Sequence, residues 1–403
     1  MERKKLLLPV SVMCLVATLL ISGCVPAAAP PVAPPVERIK IGALVDLTGP
    51  IADMGPRFKD GIVLALETIN YTAAGRPVEV IFEDSGSSPT IAMERFKKLH
   101  ETDGVNIIIG PLMGDQQSAV APYADQHKVL YVGYINSTTD CVRDYGTFLA
   151  YPATCIGQQR PSGWYLYEEL GYRTMATLGS DYGGGHDYIA GAVYGFEEKG
   201  GEVVHQVWAP IGTPDFAPYM AAMPTKDKAD VLCIFLSSGE DAARCLMAYR
   251  DEKVKRDLPP VFELIVDVFT PQQYKDLEDI VVGMYAQSTY LPLRDDPINN
   301  AFVAAFIAKY GETPVIQQNA YTDMMLFAQA LEITGGDDSF DAMWAAMTKR
   351  EFQTPQGPLY YSSYGEGFSN VYIAQIQKVG DEILPVIVKV YEMATSDPYV
   401  PKD

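Results

Sequence analysis

Apolar β-branched runs bounded by turn residues alternate with helically periodic stretches along most of the chain. The segments IKIGALVDL (39–47), VEVIFED (78–84), NIIIG (106–110) and VLYVG (129–133) predict strands. Between them, 57–70, 89–101 and a stretch from about 115 predict helices, the first carrying Ile62, Leu66 and Ile69 on one face. A second series begins after about residue 154. Helices at 157–170, 185–199, 215–223 and 239–253 alternate with strands at 174–179, 202–208, 231–236 and 261–266, and a strand at 281–288 follows. Helices at 297–310, 318–333 and 339–349 and strand-like segments at 358–361, 370–377 and 385–392 complete the pattern. Repeated strand–helix units predict an α/β fold with parallel-rich sheets covered on both faces. One parallel sheet of so many strands is unusual, so two Rossmann-like lobes are the simpler solution.

In such sheets ligands bind beyond the carboxyl ends of the strands, at Rossmann-type crevices. The first strand leads into Asp46–Pro50, Met54 and Gly55. NIIIG leads into Pro111, Leu112, Met113, Gly114, Asp115 and Gln116, and VLYVG into Tyr134, Ile135, Asn136, Ser137 and Thr138. In the second series Asp181, Tyr182 and Gly183-Gly184-Gly185 follow one strand, and Asp267 another. Helix N-termini with free N–H groups hold carboxylates. A tyrosine can wall a pocket, and an unpaired acid can face an ammonium. Each has a plainer reading: Gly114-Asp115 as a helix start, Ser137 and Thr138 as turn residues, Tyr182 as packing, Asp267 as a cap or solvated acid. The glycine triplet does not complete a phosphate loop, because no G-K-[ST] follows and Asp181 would repel an anion.

The amino terminus changes the setting. Arg3, Lys4 and Lys5 precede an apolar run from Leu6 to Ile21 that ends at Ser22-Gly23-Cys24, the layout of an export signal over residues 1–23. VPAAAPPVAPPV (25–36) reads as an uncharged, semi-rigid spacer within a 24–37 linker. The chain holds 51 acidic against 31 basic residues, a net charge of −20. That excludes a surface built to grip nucleic acid by its phosphates. Four histidines and six scattered cysteines give no metal-ligand spacing, and no cofactor motif is present. Export permits disulfides, and Cys141 and Cys155 flank a loop-like stretch that could be bridged. Cys233 reads as a buried thiol.

At Cys24 the sequence resembles the bacterial lipobox, which implies a lipidated first mature residue and attachment to a membrane. The run IGALVDLTGPIADMG, then IIIGPLMGDQQSAVAPYADQHKVLYVGYINSTTD, then GSDYGGG resembles the substrate-binding proteins of branched-chain amino acid (Leu/Ile/Val) ABC transporters, which are type I periplasmic binding proteins. The resemblance spans roughly 38–393. It implies two lobes joined by a three-crossover hinge, with the ligand in the cleft. The amino-terminal lobe would comprise 38–154 plus 288–368, the second 155–287 plus 369–393, with 394–403 a tail. It also implies that Leu112, Met113 and Gly114 line the first lobe, and that Ile135 and Ser137 lie where the family holds the ligand's carboxylate and ammonium, with Asn136 between them counted among the ligand-binding residues. By the same token Tyr182 supplies an aromatic wall, Asp267 lies near an ammonium-binding acid, and Met54 stands where an aromatic often covers the ligand. The chain departs from the family at Gly114, which lacks the usual hydroxyl, at Asp115, which adds an acid to the cleft mouth, and at Ser238, which replaces an aromatic. Leucine specificity is therefore not implied, and an amide, a urea-like compound, another amino acid or an aromatic acid remains open.

The expected role is capture, not chemistry. An extracytoplasmic lipoprotein would close on an amino acid or related small polar solute and deliver it to ABC transporter permease subunits. No G-x-S-x-G elbow, H-E-x-x-H helix or P-loop points to an enzyme. A ligand sensor of the same fold signalling to a regulatory partner is the alternative.

Overall fold

The computed structural model describes residues 37–402, apart from Asn136 and residues 266–268. The expected export signal, the Cys24 expected to carry lipid, Asn136 and Asp267 therefore lie outside the described residues. Sixteen strands form three sheets among these residues. The first six are β1 (Ile39–Val45), β2 (Thr72–Ala73), β3 (Arg76–Asp84), β4 (Ile107–Ile109), β5 (Leu130–Val132) and β6 (Phe148–Leu149). Next come β7 (Thr174–Ser180), β8 (Glu202–Ala209), β9 (Val231–Phe235), β10 (Val261–Glu263) and β11 (Tyr285–Ser288). The last five are β12 (Arg350–Thr354), β13 (Gly357–Tyr361), β14 (Gly367–Ser369), β15 (Val371–Val379) and β16 (Glu382–Tyr391).

The first sheet runs β2-β3-β1-β4-β5-β6, the second β16-β15-β11-β10-β9-β7-β8, and β12–β14 make a small antiparallel third. In the first sheet every pairing is parallel except the β2–β3 hairpin. The apolar runs are continuous because both faces are covered. Ile107 and Ile109 enter one core while Ile108 points into the other, beside Leu44, Phe96, Tyr131 and Phe148. The expected α/β fold with two parallel-rich sheets is what the chain adopts.

Several boundaries moved. The strand read at 281–288 is shorter, because Glu278–Val281 is a helical turn. Strand β12 and the helices Thr139–Asp144 and Pro271–Asp276 carried no clear periodic signal and are too short to show one. The 394–402 segment is bound tightly to the body. Asp397 Oδ2 accepts from the hydroxyls of Thr139 (2.6 Å) and Thr154 (2.7 Å). Val400 is buried in the core cluster of Leu44 and Phe148, while Tyr399 packs edge-on to Tyr194 of the helix Gly183–Glu197.

The expected Cys141–Cys155 bridge is not formed. Both are free, buried thiols, as are Cys233 and Cys245. Cys141 faces the core cluster of Leu44 and Phe148, whereas Cys155 starts the helix Cys155–Glu168 and packs in the other cluster. The turn-like stretch between them contains a strand and brings neither sulfur to the other.

Candidate functional site

The carboxyl ends of strands from both sheets converge. From the first come Met54 after β1, Leu112 after β4 and Ile135 after β5; from the second come Phe235, Leu236 and Ser237 at the end of β9 and Ile265 after β10. With Phe58 and Ile316 they enclose a space of about 30 Å³. That is room for about two waters. The lining is almost wholly apolar. A roomier hollow of about 340 Å³, lined by Tyr172, Val231, Val261 and Tyr285 among others, lies at the opposite ends of β9–β11. It draws on one sheet only.

Local sequence explains the convergence. Strand β4 ends at Gly110, whose φ of +87° suits glycine and whose added Cβ would meet the Leu44 carbonyl at 2.4 Å and the Tyr134 ring at 2.7 Å. The chain thus passes close over Tyr134, whose hydroxyl donates to Leu44 O at 2.9 Å. Tyr134 stacks on Phe58, with centroids 4.3 Å apart, and so backs the cavity wall. Behind Leu112, the buried Asp46 accepts from Ser85 Oγ (2.8 Å), Ser87 N (2.9 Å) and Gln116 Nε2 (3.1 Å). Burial pushes its carboxyl up, against the pull of those donors.

The predicted residues divide. Met54, Leu112 and Ile135 line the cavity. Met113 is buried beside them, and Gly114 starts the helix Gly114–His127. Ser137 is turned away, its hydroxyl donating to Tyr151 O at 3.1 Å. Tyr182 is buried with its ring 6.5 Å from Phe235, which itself stacks on Tyr188 at 4.2 Å. Ser238 caps the helix Gly239–Lys253 by accepting from Asp241 N at 3.2 Å. An aromatic is nonetheless present nearby, as Phe235. Phe58, Phe235, Leu236, Ser237, Ile265 and Ile316 were not singled out from sequence. Apart from Ser237 they read there as ordinary core: Leu236 and Ile265 fell inside the strands expected at 231–236 and 261–266, and position just past a strand end was a signal for Ser237 alone.

The glycine triplet is steric. An added Cβ on Gly185 would meet Ser180 O at 2.1 Å, and one on Gly184 the Tyr182 ring at 2.8 Å. Gly183 N donates to Asp115 Oδ1 at 3.0 Å. Acidic groups also meet along this seam. Burial pushes the Asp187 carboxyl up to about 7; Thr139 N–H opposes the rise, while Asp140 and Asp397 add to it. Burial likewise raises Asp53, with Glu240 and Asp241 contributing. No His/Cys/Asp/Glu group among the described residues could hold a metal, and no helix among them is long and apolar enough to cross a membrane.

Two parallel-rich sheets with strand ends meeting at an apolar gap define a type I solute-binding protein. The chain belongs to the periplasmic binding protein family, whose model matches residues 38–381. A Leu/Ile/Val-binding protein homolog of Brucella melitensis is 24% identical over 350 residues, covering 86% of this chain and 89% of that one. A solute binding protein of an ABC transporter from Rhodopseudomonas palustris BisB5, solved with 3,4-dihydroxybenzoic acid, superposes with TM-score 0.82 at 26% identity, covering 90% and 99% of the two chains. One from R. palustris HaA2, solved with p-hydroxybenzoic acid, gives 0.81 at 25%, covering 89% and 98%. The chain is thus a solute-binding protein of ABC transport, and membership places its body outside the cytoplasm. Its relatives bind solutes; they are not enzymes.

Proposed function

We propose that the protein captures a small carboxylic acid with an apolar, aromatic body and hands it to the membrane subunits of an ABC transporter. One half would comprise 38–154 with 288–368, the other 155–287 with 369–393, closing by a hinge. Lipid on Cys24 and the spacer after it would hold the body at a membrane. The observation that carries the reading is the apolar gap at the strand ends of both sheets, with the helix N-terminus at Gly114 beside Leu112 as a seat for a carboxylate. No acid or base lines that gap among the described residues. The two relatives solved with hydroxybenzoic acids support the same class. Because the gap holds about 30 Å³, the halves must part to admit a solute.

The Leu/Ile/Val-binding relative supports a second reading, a branched-chain amino acid. It needs a partner for the ammonium, the role assigned to Asp267. A thermal-shift screen of 4-hydroxybenzoate, benzoate, leucine and acetamide separates the readings. A ligand at a hundred times its Kd stabilises by about 2.7 kcal/mol. Aromatic acids should raise Tm; no shift with any of the four would refute capture of this class. Asp267→Asn should weaken leucine but spare benzoate.

A further inference from the structure

The helices Gly114–His127 and Gly183–Glu197 belong to different sheets, and their N-termini meet. A Cβ added to Gly114 would stand 3.1 Å from Gly184 N and 3.5 Å from Gly184 Cα. So close an approach needs residues without side chains on both sides, and that is what the sequence supplies at 114 and at 183–184. It also sets two like poles together. Each helix N-terminus carries roughly half a positive charge. The Asp115 carboxylate lies in the first turn of one helix and accepts the Gly183 N–H of the other at 3.0 Å. The one negative charge therefore lies on the N–H of the opposite helix and holds the two like poles together.

We infer that Asp115 is a clasp between the two halves: it sets how long the closed form lasts, and so the affinity, without touching the solute. This rests on the capture reading for what closure serves; the contact itself does not.

The Asp115→Ala change removes the charge and the acceptor, and Asp115→Asn removes the charge alone. Gly183→Ala attacks from the other side, since its Cβ would stand 2.5 Å from Asp115 Oδ1 and push the carboxylate away. Alanine is the better helix former, so that change should not lower Tm. The exposed, charge-assisted contact predicts about three- to tenfold faster dissociation of 4-hydroxybenzoate in stopped flow for Asp115→Ala and Gly183→Ala. Association should be unchanged and Asp115→Asn intermediate. Small-angle scattering of the solute-free protein should show a larger radius of gyration for both alanine variants. Wild-type dissociation rates and scattering in Asp115→Ala and Gly183→Ala would overturn the clasp and leave capture intact. If the wild-type protein binds no aromatic acid, capture of that class fails, and scattering alone decides the clasp.

Discussion

Glu263 sits in the middle of the second sheet, paired in register with Ile234 of β9 and Ala286 of β11. It is fully buried, and neither carboxyl oxygen has a hydrogen-bond partner among the described residues. Burial alone pushes its carboxyl well above the ordinary 4.5, which favours the protonated form in the folded protein. The sign follows from linkage. An acid with a raised folded-state pKa favours the folded state fully below 4.5, and that advantage is lost as pH rises towards the folded value. Each pH unit in that window costs about 1.4 kcal/mol, so the ceiling at pH 7.5 is about 4 kcal/mol. Glu263→Gln keeps the shape and cannot ionise. Guanidinium midpoints at pH 5 and pH 7.5 should show the variant near wild type at pH 5 and markedly more stable at pH 7.5. Glu263→Met, which also removes the unpartnered polar atoms, should add about 1–3 kcal/mol at both values. Comparing variant with wild type at each pH cancels the titration of Asp46 and Asp187, and of Asp323, another buried acid that burial pushes up. A variant–wild-type difference that does not change with pH would refute a protonated, unpaired Glu263.

Other predictions concern binding. Gly114→Ser places a Cβ 3.1 Å from Gly184 N, across the two proposed halves; overpacking of about 1–3 kcal/mol in the closed form should weaken calorimetric affinity by about five- to a hundredfold, and equal affinity would show that the halves do not meet there. Asp187, raised to about 7 by burial, favours the closed form when protonated, so affinity for 4-hydroxybenzoate should rise as pH falls from 8 to 6. Asp187→Asn should flatten that dependence, and a profile unchanged in the variant would assign it elsewhere. Phe235→Leu should weaken 4-hydroxybenzoate more than leucine, because the lost wall is aromatic; matched losses would argue against ring recognition.

Much of the fold was legible because burial on both faces writes an uninterrupted apolar run: NIIIG and VLCIFL announce β4 and β9 in plain letters. Strand-end position then pointed to Met54, Leu112 and Ile135. What stayed hidden has physical reasons. Phe58 and Ile316 sit inside or beside helices whose other apolar residues fill the core, and periodicity cannot tell a residue facing a gap from one facing a neighbour. Ser137 carries the right chemistry at the right place, but its hydroxyl is engaged by Tyr151 O, a contact that only the fold supplies. Two cysteines fourteen residues apart say nothing of which core each enters.

Residues 394–402 bring the carboxyl-terminal end of the body back to the sheet where it began. Ile39 opens β1, and Val400 is buried against the far face of that same sheet. In the proposed closure, fluorophores placed near Ile39 and Val400 would therefore travel together and stay blind to the motion. A sensor made from this protein needs one dye inside the proposed other half, for example at the exposed Val388 of β16, with its mate near Ile39 or Val400.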